Sequence, residues 1–174
     1  MGQLDPMADL SLRMGARPNT NHVIHVIGSD IVFPVMAPGL WELIEQQASQ
    51  EFLCKLPLLH DRDARTARST WRDAFGPDNL GVRSGARFTS ADLVLRAAEC
   101  GRGVALTRGW LARDAMTEGL LIRPIAEHQL PLKDEWWLAE HRDSGPRKSV
   151  QRVRDWLVEE GRLQTMQTVP QVLR

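Results

Sequence analysis

Arg87-Phe88-Thr89-Ser90 stands directly before an apolar run with helical spacing, and these residue types suit a small anion. Thr89 is predicted to cap that helix, with Asp92 three residues later returning a bond to the N–H of the cap. A helix N-terminus offers unpaired N–H groups to an anion, and Thr89 and Ser90 add two hydroxyls. Arg87 and Arg108 lie at the two ends of this unit, and either can pair a carboxylate through its guanidinium fork. The competing reading leaves Thr89 as a plain cap and both arginines solvated.

The surrounding elements must position these groups. Leu93, Val94, Ala97 and Ala98 are predicted to form one apolar helix face. Gly101 and Gly103 close that helix, since glycine accepts the left-handed backbone of a helix end. Val104-Ala105-Leu106 reads as a buried strand and Thr107-Arg108-Gly109 as a turn. Leu111, Ala115 and Met116 then share a helix face, and Leu120 to Pro124 is strand-like.

Elsewhere, strands are expected at 8–13, 23–27, 31–35, 57–60 and 136–140, with Gly28-Ser29-Asp30 interrupting the second and third. Short helices are expected at 41–47 and 69–75, and residues 76–86 read as loop. Trp136 and Trp137, adjacent in a strand, place one ring in the core and one outward. Ser149 is predicted to cap a last helix whose face is Val150, Val153 and Leu157 and which Gly161 stops. Residues 163–174 are expected to be a disordered tail. Alternation of strands and helices makes the fold class α/β.

Composition narrows the function. A 43% hydrophobic fraction supports a core, and 174 residues suit one domain or two small lobes. Formal net charge is +0, with Arg62, Arg65, Arg68 and Arg72 interleaved with acids, so no basic field draws the chain to nucleic acid. No apolar run spans a bilayer and no secretion signal is visible, which points to the cytoplasm and to no membrane partner. Cys54 and Cys100 are isolated and read as small buried residues rather than a disulfide pair.

Other chemistries find little support. His22 and His25 in an extended run point to opposite faces, so with His60, Asp61 and Asp63 they form no metal set. There is no nucleophile elbow and no reactive cysteine motif, hence no catalytic residue to name. Gly101-x-Gly103 precedes a strand, the wrong side for a dinucleotide turn, and no cofactor is implied.

Four segments and Trp71, in order, resemble the effector-binding domain of LysR-type transcriptional regulators, in the branch of the glycine-cleavage activator. Asp9-Leu10-Ser11-Leu12-Arg13-Met14-Gly15 is similar to D-L-A-I-R-x-G, and Phe33-Pro34-Val35-Met36-Ala37-Pro38 to F-P-V-C-S-P. Leu56-Pro57-Leu58-Leu59-His60-Asp61 followed by Trp71 resembles P-L-L-H-D…W. Phe88 to Leu106 resembles F-x-x-x-x-L-x-L-x-A-A-x-x-G-x-G-V-A-L.

The resemblance implies a two-lobed fold like that of type 2 periplasmic binding proteins, with a small, anionic metabolite as the expected effector between the lobes. Lobe one would comprise residues 1–35 and 134–162 and lobe two 36–133, with crossovers at 31–37 and 130–135. The first lobe would be incomplete and the winged helix-turn-helix absent, so promoter DNA would be reached only through an N-terminal domain outside this chain. The family also implies a homo-oligomer, dimer or tetramer, in the full-length protein. The implied effector contacts are Ala37, Pro38, Arg87, Phe88, Thr89, Ser90, Thr107 and Arg108. Alternatives of other kinds are a stand-alone small-molecule binder of the same fold, a truncated remnant, and an α/β enzyme.

Overall fold

A computed structural model describes residues 8–17, 21–44, 56–63, 68–76, 85–141 and 147–167. Cys54, the end of the expected 41–47 helix, most of the 76–86 loop and residues 168–174 lie outside them. The chain folds as two compact units. One takes residues up to Asp30 and those from Leu132; the other takes Ile31–Pro131.

In the first unit, strand β1 (Leu10–Gly15) runs antiparallel to β6 (Leu130–Glu140), in register from Leu10↔Glu140 to Gly15↔Glu135. β6 lies between β1 and the first part of β2 (Val23–Val35). β2 is one continuous strand: the expected interruption at Gly28-Ser29-Asp30 does not occur. Ladder pairing overrides the turn preference of these three residues, and Asp30 is almost wholly buried at 1% exposure. β6 likewise extends further back than the 136–140 strand read from sequence. Trp137 is buried and Trp136 half-buried.

Helix α5 (Lys148–Gln167) belongs to this unit. Two sequence expectations fail on it. Ser149 sits inside the first turn rather than at the cap, because the helix starts at Lys148. Gly161 does not stop the helix, and residues 163–167 are helical rather than a loose tail. Val153 is exposed, so the buried face runs instead through Val150 and Gly161, with Arg154 and Leu157 half-buried. The helix is tied to the sheet by Glu140, whose Oε2 accepts from Arg154 Nη1 at 3.2 Å and lies 3.1 Å from His25 Nε2. His22 instead packs its ring on His141, centroids 4.4 Å apart. No group of three or more metal-ligating side chains forms among the described residues.

The second unit carries the sheet order β2-β5-β3-β4, with β3 at Leu58–His60, β4 at Ala86–Arg87 and β5 at Val104–Arg108. β3 is parallel to β4 and to β5, while β2 is antiparallel to β5. Among its described residues are the helices α1 (Pro38–Leu43), α2 (Arg68–Phe75), α3 (Ala91–Glu99) and α4 (Gly109–Thr117). The period of two along each strand splits the core. Phe33, Val35, Leu59 and Ala105 pack with Val94, Leu95 and Ala98 of α3 and Ala112 of α4. Met36, Leu58, Val104 and Ile125 form a second cluster with Trp41, Leu106 and Ile122.

Several local expectations are corrected here. Leu93 (47% exposed) and Leu111 face solvent, and the buried stripes run through Val94, Leu95 and Ala98 on α3 and through Ala112 on α4. Thr107 and Arg108 complete β5 and run straight into α4, with no intervening turn. The Leu120–Pro124 run makes only a single bridge, Met36↔Ile122, since Pro124 has no N–H to extend a ladder. Cys100 is exposed, because it follows the last buried turn of α3 at the cap position. Gly101, at φ +68°, supplies the left-handed residue that ends α3, as its sequence position implied.

Candidate functional site

The parallel strands β3, β4 and β5 point their carboxyl ends to one edge of the second unit. The registers Leu59↔Ala105 and Leu59↔Ala86 put Arg87, the last residue of β4, level with Leu106, so β5 runs two residues further toward this edge, to Arg108. In open α/β sheets this edge is where ligands bind. The chain leaves β4 through Phe88, whose N–H donates to the His60 carbonyl at 2.8 Å and whose ring packs on the core beneath α3. That anchor aims Thr89 and Ser90 at the edge, and both are exposed.

Ser90, not Thr89, is the N-cap of α3. Its backbone is extended (φ −142°, ψ 153°) and its Oγ accepts from Leu93 N at 3.4 Å. The helix therefore starts one residue later than expected, and Asp92 falls within its first turn, short of the capping-box position. The consequence for chemistry is favourable: Thr89 keeps its hydroxyl outside the capping bond. Beyond the cap, the first-turn N–H groups carry the positive end of the helix dipole. Asp92 in that turn partly offsets it.

Arg108 closes the edge at the end of β5. It pairs with Val32 across the sheet, and its Nε lies 3.8 Å from Asp63 Oδ2 in the segment following β3. Both side chains are mostly buried, so the ion pair is held in place rather than dangling in solvent. Thr107, opposite Phe33, is 3% exposed and turned into the α3–α4 side of the sheet. Its hydroxyl makes one long bond to the Arg108 carbonyl, 3.4 Å. Arg87 is exposed on the edge strand β4.

Ala37 and Pro38 do not join this set. Val35 pairs with Ala105 and Val32 with Arg108, so the chain past Met36 has reached the opposite edge of the sheet. That edge is about 16 Å from Arg108, at ~3.3 Å per strand residue. There Ala37 and Pro38 line a shallow hollow with Leu43, Cys100, Gly101 and Leu120. Asp63 is the contributor to the edge that sequence reading placed only in a rejected metal set; its pairing with Arg108 spans 45 residues and has no local signature.

Arg123 is a further, half-buried cation of this unit. Its guanidinium carbon sits 4.6 Å from the centroid of the Phe33 ring, and Nη2 donates to the Ala126 carbonyl and to Gln129 Oε1. Burial lowers its pKa, against the opposing charge of Glu127.

The family model of the LysR substrate binding domain matches residues 2–162. Among curated proteins, the chain is 28% identical over 163 residues to the HTH-type transcriptional regulator y4mQ of Sinorhizobium fredii, covering 90% of this chain and 52% of that protein. It is 25% identical over 136 residues to the HTH-type transcriptional regulator DsdC of Escherichia coli, covering 75% and 43%. The chain thus spans about half the length of the curated relatives it matches. In fold it is similar to the effector domain of AmpR of Pseudomonas aeruginosa, with a TM-score of 0.68 and 23% identity over 91% of this chain and 74% of that one. The regulatory domain of CrgA from Neisseria meningitidis gives 0.67 at 18% identity, over 87% and 74%.

Proposed function

The chain belongs to the LysR substrate-binding domain family, and we propose that it is the effector-sensing part of a cytoplasmic DNA-binding regulator whose effector is a small anion. One observation carries the anionic character: the N-terminus of α3, with the free hydroxyl of Thr89, opens at the same sheet edge as the half-buried Arg108. Oriented N–H groups and a guanidinium together suit a carboxylate or a similar oxyanion. An arriving anion competes with Asp63 for Arg108, which gives the site a built-in response: binding releases the segment after β3. The +0 net charge fits a sensor whose DNA contacts lie in a separate segment.

Thermal unfolding of the chain against a panel of small carboxylates, phosphate, and neutral and cationic analogues tests this reading. Anions are expected to raise the midpoint by mass action, and Arg108→Gln and Thr89→Val are each expected to reduce that rise. Stabilisation by neutral or cationic compounds alone, or an anion effect that neither substitution alters, overturns it.

A further inference from the structure

His22 and His141 come from opposite ends of the chain and meet at one end of the sheet of the first unit. His22 stands just before β2 and His141 just after β6, and these two strands are neighbours. The ring centroids are 4.4 Å apart and the ring planes are inclined by 51°. In a face-to-face stack the planes are parallel, and the nitrogen lone pairs cannot converge on one point. Tilted rings can turn theirs to a common centre. Both residues are half-buried, so the pair is held in place and still reached from solvent. The N–H of His141 donates to the Asp9 carbonyl at 3.0 Å, which fixes one arm. Arg147 pairs with the Asp9 carboxylate and Arg154 with Glu140, so these positive charges are offset rather than set against an incoming cation.

Imidazole nitrogens bind zinc, nickel and copper ions at about 2.1 Å. That bond puts each ring centre about 3.2 Å from the ion, so two imidazoles at a right angle have centres about 4.5 Å apart. At the tetrahedral angle the separation is about 5.2 Å. The observed 4.4 Å matches the right angle, which belongs to square-planar and octahedral ions rather than to tetrahedral zinc. We propose that His22 and His141 form a two-pronged site for a divalent transition-metal ion, with Cu2+ and Ni2+ fitting best. No third ligating side chain joins the pair among the described residues, so water fills the remaining positions and the affinity is modest. His25 is committed to Glu140 and takes no part. Bound metal bridges the start of β2 and the end of β6, the strand from which the chain continues to α5. The sequence sets His22 and His25 on opposite faces of one strand; only strand pairing brings His141 to His22. The inference stands independently of the effector reading, since no residue of the sheet edge enters it.

Isothermal titration of the untagged full chain with Cu2+, Ni2+, Zn2+ and Mg2+ chlorides tests it. One Cu2+ or Ni2+ per chain is expected to bind, Zn2+ more weakly, and Mg2+ not at all, since it is a hard ion that takes oxygen ligands. His22→Gln and His141→Gln each lower the affinity about tenfold or more, because either loss removes the chelate. His128→Phe, in the other unit, leaves it unchanged, which separates the pair from adventitious binding to any histidine. Far-UV circular dichroism checks that the variants are folded. Electron paramagnetic resonance of the Cu2+-loaded parent chain needs no variant and is expected to show coupling to two imidazole nitrogens. Absence of saturable Cu2+ and Ni2+ binding, a spectrum with a single imidazole, or an affinity that neither His22→Gln nor His141→Gln alters overturns the proposal.

Discussion

Gly161 of α5 lies directly against Ile27 of β2: a Cβ built at position 161 would meet Ile27 Cγ2 at 2.2 Å and the Ile27 carbonyl oxygen at 2.5 Å. The second contact is with backbone, so no rotamer change relieves it. In an exposed helix, Gly→Ala gains up to about 1 kcal/mol of propensity. Here overpacking costs about 1–3 kcal/mol, and the clash is severe enough to put the balance on the unfavourable side. Gly161→Ala is expected to destabilise the chain by about 1–2 kcal/mol in urea unfolding, whereas Gly39→Ala, with nothing within 4 Å of its Cβ, is expected to be neutral or stabilising.

This glycine also shows what sequence conveys and what it withholds. Gly101 and Gly161 are the same letter near the end of an apolar helical pattern. Gly101 ends its helix at φ +68°, while Gly161 continues its helix because a strand from the other end of the chain approaches it. Local pattern found α3, β5 and α4, whose contacts are near in sequence. It split β2 at Gly28-Ser29-Asp30, because the pairing that straightens this stretch comes from β6, about a hundred residues away. The candidate site divides in the same way. Phe88, Thr89, Ser90 and Arg108 were legible from one contiguous unit; the Asp63 partner of Arg108 and the remoteness of Ala37 and Pro38 follow from strand register.

The shift of the cap from Thr89 to Ser90 separates two roles that sequence reading merged. Ser90→Ala is expected to cost about 0.5–1 kcal/mol of stability, at the low end for a cap because the bond to Leu93 N is long at 3.4 Å. Thr89→Ala is expected to leave the urea midpoint unchanged, since its hydroxyl takes no part in capping α3. Chemical unfolding of the two variants side by side checks the assignment, and an equal loss in both would contradict it.

His128 gives the second unit a defined response to acid. Its ring stacks on Phe75, centroids 4.9 Å apart and planes inclined by 12°. Burial lowers its pKa below the ordinary 6.5; Glu127 works against that shift and Arg123 adds to it. The folded state therefore holds fewer protons on this ring than the unfolded chain does, and stability falls as the unfolded form gains its proton. The contribution is fully present above pH 6.5 and is lost as pH drops through the lower folded-state value. His128→Phe keeps an aromatic ring against Phe75 and removes the titration. Unfolding free energy measured from pH 7.5 to 5 is expected to decline less steeply in this variant than in the parent chain. Parallel curves for the two would show that the imidazole is not the group responsible.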